Sequence, residues 1–147
     1  MKLQAPESAV AQDVLDELLG YALRRAQLAV YDDFADALGS VTPQRFAALV
    51  IVGANPGLSQ TALGETLQIA RSGSMLLVDW LEEEGLVERR ARPGDRRANC
   101  LHLTAAGEEA LRSWRDRALE HDRRISCHMS DEERAQLHAL LRKLAAR

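Results

Sequence analysis

The stretch from Arg89 to Thr104 admits few folds. Arg89-Arg90-Ala91-Arg92 runs into Pro93-Gly94-Asp95, where Pro fixes φ, Gly accepts positive φ and Asp can hydrogen-bond its own backbone, so the chain reverses there. Asn99-Cys100-Leu101-His102-Leu103-Thr104 then alternates with a period of two, placing Leu101 and Leu103 on one face and Cys100 and His102 on the other. Together these predict a β-hairpin with the leucine face buried, entered through Gly85-Leu86-Val87-Glu88-Arg89, where a helix gives way to extended chain. Between Glu88 and Arg97 five Arg stand against two carboxylates, a local excess of three positive charges in a chain of net charge −3. Such a tip suits contact with phosphate, although the same residues also make a solvated, salt-bridged turn.

Upstream, residues 58–86 divide into two helices with a tight joint. Ser59 is a suitable N-cap for the first, and Leu63 with Leu67 gives it a short apolar stripe at i, i+4. Gln68-Ile69-Ala70 interrupts it. The second helix then buries Leu77, Val78 and Leu81, while its opening residues Arg71, Ser72, Gly73 and Ser74 are cationic, polar or small. A helix that begins this way presents its amino end to something polar, and the major groove of DNA is such a surface. Gly85 stops the second helix and launches the hairpin.

In this order, the helix pair, Leu77-Val78-Asp79 and Leu81-Glu82 before Gly85-Leu86-Val87-Glu88-Arg89, Pro93 with Asp95-Arg96-Arg97, and Leu103-Thr104 with Gly107 resemble the multiple-antibiotic-resistance regulator (MarR) family. The resemblance implies a mainly α fold with a small β-wing, a winged helix-turn-helix carried by long N- and C-terminal dimerisation helices. It implies a homodimer that binds a double-stranded DNA operator, with recognition helices in major grooves and wings in the flanking minor grooves. Residues 1–147 then form a single MarR-like domain, with 42–104 as the DNA-binding part and 8–40 and 105–147 as dimerisation helices.

The flanking segments read accordingly. From about Val10 to Leu38, Leu15, Leu18, Leu19, Ala22, Ala26, Ala29, Val30 and Phe34 make a wide apolar stripe on one long helix. Thr42 caps a second helix with Pro43 at its first position, which buries Phe46, Leu49 and Val50 before Asn55-Pro56-Gly57. A polar helix follows Thr104 to about His128, and Ser130-Asp131-Glu132-Glu133 is a capping box for a last helix whose seam is Leu137, Leu140, Leu141 and Leu144. So small a winged-helix core cannot cover all three outer helices, and a two-fold partner is the natural cover.

Roles in DNA binding follow from these positions. Arg97 is the expected minor-groove contact, with Asp95 orienting its guanidinium as the matching positions do in the family, and Arg96 neutralises phosphate. The plainer account has Asp95 and Arg97 stabilising the turn. Arg71, Ser72 and Ser74 are the candidates for base recognition, and Gln60 and Thr61 for backbone contact. Met75 either touches a thymine methyl or belongs to the core. Leu76 and Trp80 stand where relatives commonly carry polar residues, and Trp80 is expected against the dimerisation helices.

In the family, ligands bind between the dimerisation helices and the winged helix. Here the first helix carries Tyr21, Arg24, Arg25 and Tyr31: the arginines can hold a carboxylate or a phosphate and the tyrosines can line an aromatic slot, with salt bridges to Glu17 or Asp32 and core packing as the alternative. The resemblance to family members that control the breakdown of aromatic acids implies an aromatic carboxylate or its coenzyme A thioester. Effector-responsive repression is therefore expected, against a second reading in which a degenerate winged helix serves only protein contacts. The sequence pI near 5.8 argues against general coating of nucleic acid but not against site-specific binding, which depends on the local field. Cys100 and Cys127 lack the paired spacing that zinc needs, Cys127-His128 with His121 reads as a solvated helix face, and Cys100 with His102 lacks any oxyanion element, so no metal, cofactor or catalysis is expected. The absence of a long apolar run and of a signal-peptide core predicts a cytoplasmic protein.

Overall fold

The computed structural model describes residues 10–146, except for the side chains of Arg96, Arg97 and Ala98. Among these residues, six α-helices and three strands follow a 3-10 turn at Asp13–Glu17: α1 Leu19–Leu38, α2 Pro43–Ala54, β1 Leu58–Ser59, α3 Gln60–Leu67, α4 Arg71–Glu83, β2 Val87–Arg92, β3 Asp95–Leu103, α5 Ala105–Ile125 and α6 Asp131–Ala145. The fold is thus mainly helical with a small antiparallel sheet, as expected. No single helix among the described residues is long and apolar enough to cross a membrane.

The hairpin forms where the turn chemistry put it. β2 and β3 pair antiparallel from Val87 opposite Leu103 to Ala91 opposite Asn99, with a register shift before Arg92 and with Gly94 at φ 86° in the reversal. The expectation of one buried face is corrected by β1. This two-residue strand pairs Leu58 with Leu101 and Ser59 with Cys100, which makes β3 the central strand of the order β1-β3-β2 and leaves Cys100 only 6% exposed. Two residues carry no detectable alternation, so the sequence could not announce the extra strand.

The winged-helix core gathers Leu49 and Val52 of α2, Leu63 of α3, Leu77, Val78 and Leu81 of α4, Val87 and Leu101 of the sheet and Leu111 of α5. Each such side chain contributes about 1.5–3 kcal/mol on leaving water. Thr42, Ser59, Thr104 and Ser130 all act as N-caps, accepting from the backbone N–H of Arg45, Ala62, Gly107 and Glu133, and Glu133 completes the capping box. Gly107 is required at the first turn of α5, because a Cβ there would overlap the Leu86 carbonyl oxygen.

The single helix expected from Val10 to Leu38 is broken. Leu18 is extended at φ −85° and ψ 119°, no side chain caps α1, and the turn before it buries nothing. Helical stability comes mostly from packing one face, and within one chain only the carboxyl end of that face is covered: Phe34 and Leu38 are the buried residues of α1. The same holds for α6, which has no buried residue although Leu137, Leu140, Leu141 and Leu144 lie along it.

His121 also departs from expectation. Instead of lying on a solvated face it is 6% exposed, with Nδ1 2.6 Å from Asp33 Oδ2 and its ring edge-on to Phe34 at 5.2 Å between centroids. Arg124 donates to both oxygens of the same carboxylate, at 2.9 and 2.7 Å, so Asp33 ties α1 to α5. Cys127 and His128 stay exposed, and no metal-binding group of three His, Cys, Asp or Glu occurs among the described residues.

The Arg124 hydrogen bond, helped by His121 and opposed by desolvation, holds the Asp33 carboxyl below its usual pKa. A carboxyl lowered on folding stabilises fully above its unfolded value, near ~3.9, and that contribution fades as pH falls through the folded-state value. Thermal denaturation of the parent should therefore lose stability below about pH 4, and Asp33→Asn should start lower at neutral pH and show a shallower acid limb. Parallel acid limbs would remove Asp33 from this role.

Candidate nucleic-acid interface

The two helices of the reader are set by a compact joint. Gln68 closes α3 in the left-handed region at φ 53°, and its N–H and that of Ile69 satisfy carbonyls of the last turn. Gly64 of α3 faces Ser74 of α4 so closely that a Cβ at position 64 would lie 3.1 Å from both Ser74 Cβ and Oγ. This corrects the recognition role expected of Ser74. It is 2% exposed and its hydroxyl donates to the Arg71 carbonyl at 2.9 Å, so its small size serves the helix crossing and not a base edge.

Arg71 and Ser72 are exposed at the amino end of α4, where the first-turn N–H groups lend a partial positive charge. Thr61 is exposed and Gln60 half-buried at the start of α3, and together with Arg71 and Asn99 of the wing they line a groove of about 550 Å³. Of the expected contacts, Gln60, Thr61, Arg71 and the buried Ser74 line this groove, and Ser72 does not. Asn99 was missed, because a polar residue on a strand carries no signal until the wing is folded beside α3.

Arg89 was counted among the basic residues of the turn, and the structure gives it another task. Its guanidinium binds Asp79 at 2.6 Å, Glu82, and Gln60 Oε1 at 3.1 Å, while its backbone N–H donates to Glu82 at 3.2 Å. One side chain at the base of the wing therefore holds α3 and α4. Burial opposes its charge, but the Asp79 hydrogen bond and the field of Glu82 outweigh that and raise its pKa. Arg90 is likewise paired, with Glu88 at 2.7 Å. The basic tip is consequently smaller than the five arginines suggest: Arg92 is exposed, and Asp95 is exposed beside it. The expected contacts of Arg96 and Arg97, and the orienting of Arg97 by Asp95, rest on side chains outside the described residues.

Trp80 packs against the winged-helix core, to which α5 contributes Leu111, with the Arg45 guanidinium of α2 stacked 3.8 Å from its ring centroid. Met75 and Leu76 answer the question left by the sequence: neither belongs to the core, at 49% and 70% exposed.

On α1, Tyr21 is half-buried, Arg24 and Arg25 are exposed, and the Tyr31 hydroxyl accepts from Gln27 at 3.0 Å. None of these four lines the groove that α1 forms with α5 and α6. That groove, of about 570 Å³, is lined by residues such as Leu23, Ala26, Val30, Ile125, Leu137 and Leu141, with the Arg134–Asp122 pair at 2.6 Å along it. It joins α1 to the consecutive helices α5 and α6 at the other end of the chain.

A MarR family model matches residues 40–98. The chain is 40% identical over 129 residues to a protein described as transcriptional regulatory for the hcr operon of Thauera aromatica, covering 86% of this chain and 78% of that one. Among solved structures it is similar to the transcriptional repressor CouR bound to a 23-mer DNA duplex, with TM-score 0.88 and 37% identity over 95% of this chain and 100% of the other. It is similar too to CouR bound to p-coumaroyl-CoA, with TM-score 0.86 and 34% identity over 94% and 99% of the two chains.

Proposed function

Because the chain belongs to the MarR family of transcriptional regulators, we propose that it is a homodimeric repressor whose near-palindromic operator is released by a small aromatic acid or its coenzyme A thioester. The observation that carries the DNA-binding part is the open amino end of α4, where Arg71 shares a groove with Thr61 and Gln60 and the next residue, Ser72, is exposed. These groups, with Asp95, Arg96 and Arg97 of the wing, are the proposed contacts: Arg71 and Ser72 on base edges, Gln60 and Thr61 on the backbone, the wing on the minor groove. Dimerisation is supported by the apolar surface that one chain leaves bare, including Leu19 at 66%, Leu28 at 51% and Leu140 at 55% exposure.

The ligand class is supported by the p-coumaroyl-CoA bound to CouR. Arg24 and Arg25, exposed on α1 beside Tyr21 and Tyr31, are the proposed holders of its anionic part. Tenfold release requires only about 1.4 kcal/mol of differential affinity between the two states of the dimer.

Selection of duplexes from a random pool tests the proposal. Two inverted half-sites about one helical turn apart should emerge, with affinity falling steeply with salt. Addition of p-coumaroyl-CoA and of free aromatic acids to the selected complex then tests release. A single half-site, or salt-insensitive binding, would overturn the DNA-binding reading; retention of DNA with every acid and thioester would overturn the ligand class alone.

A further inference from the structure

Two large apolar side chains stand on α4 where nothing among the described residues covers them. At about 100° per residue, Arg71, Met75, Ser72 and Leu76 fall within one arc of about 140°, and all four are exposed, whereas Leu77, Val78 and Leu81 on the opposite side are buried. Met75 and Leu76 therefore continue the face opened by Arg71 and Ser72. Leaving a leucine 70% exposed at the edge of this face, with Met75 49% exposed inside it beside Arg71 and Ser72, forgoes the stabilisation that burial gives, so a partner surface with apolar points set among polar ones is the fitting cover. The major groove offers this in one form only: the 5-methyl group of thymine, flanked by hydrogen-bonding edges and phosphates.

We propose that Leu76, assisted by Met75, is a specificity-determining residue that reads thymine methyl groups in the operator half-site. This rests on the DNA-binding reading above and goes beyond it by naming a base. Ser72 and Leu76 are one helical turn, about 6 Å, apart along the axis, roughly two base steps at ~3.4 Å each. The methyl readers accordingly act about two steps from the base edge that Ser72 addresses. Asp79, the next residue along this face, is bound by Arg89, so the methyl-reading surface is not bordered by an uncompensated carboxylate.

The test replaces each thymine of the selected duplex by deoxyuridine, which removes the methyl and keeps every hydrogen-bonding group. One or two positions per half-site should lose about fourfold in affinity each, the worth of one buried methyl group, and substitution in both half-sites together about tenfold or more. Leu76→Ala should lose a similar factor on the thymine duplex and little on the deoxyuridine duplex, and Met75→Ala should show the weaker version of the same pattern. Both side chains are exposed, so the variants keep the parent's thermal stability. If no thymine is methyl-sensitive, or if sensitivity persists undiminished in both variants, the proposal fails while operator binding stands. A change in oligomeric state with an unaltered thymine preference would assign the patch to a protein contact and also overturn it. Failure to select any duplex would overturn both this proposal and the reading beneath it.

Discussion

Arg89→Ala should weaken operator binding by about tenfold to a hundredfold and lower stability by about 1–3 kcal/mol, without dissociating the dimer. The arginine is 21% exposed and holds Asp79 and Glu82, whose carboxylates are 45% and 35% exposed. Its removal strands two negative charges on or beside the helix face proposed to approach phosphate, and it frees the base of β2 from α3 and α4 at once. Partial exposure keeps the stability loss below the several kcal/mol of a fully buried pair. Arg90→Ala is the control, since its partner Glu88 is local and both side chains are about half exposed, and such pairs contribute at most about 1 kcal/mol. Gel-shift titration, thermal denaturation and sedimentation separate the three quantities. In hydroxyl-radical footprints of Arg89→Ala, the protection at the wing should fade before that at the recognition helix. Parent-like affinity would make Arg89 a structural tie alone.

Leu140→Asp should produce the larger effect, a monomer that keeps its helical content and loses operator affinity by at least about a hundredfold. In the isolated chain Leu140 is 55% exposed, so an aspartate there disturbs nothing internal. Across a two-fold apolar interface the same change buries charge without a partner, which costs several kcal/mol, and a hundredfold weakening needs only about 2.7 kcal/mol. Sedimentation velocity reads the oligomeric state and circular dichroism the fold. If the Leu140→Asp variant dimerises as strongly as the parent, α6 is not part of the association surface.

Much of this molecule was legible in the linear pattern because its signals are local. Caps act over three residues, turns over four, and the stripes of α2, α3 and α4 repeat every three or four; hence Thr42, Ser59, Thr104 and Ser130 cap, Pro93-Gly94 turns, and Leu63, Leu77, Val78 and Leu81 are buried. The break in the long amino-terminal helix left no mark in the pattern for the same reason. The apolar period runs through Val14, Leu15, Leu18 and Leu19 whether the face is committed to this chain or to another, and all four are at least 40% exposed.

What the residues decided alone was the kind of machine: two short helices at a tight joint, a basic hairpin behind them, and outer helices with more apolar surface than the core can cover. Which side chains stand free to act was decided only by tertiary contact. Arg89 and Ser74 look like DNA ligands by type, yet one is held by Asp79, Glu82 and Gln60 and the other is pressed against Gly64. His121 looks solvated but closes on Asp33 across 88 residues of chain, and Leu76, apolar by type, is left outside the core. The partners in each case are far apart in sequence, and composition and period carry no record of a contact whose two halves meet only when the helices cross.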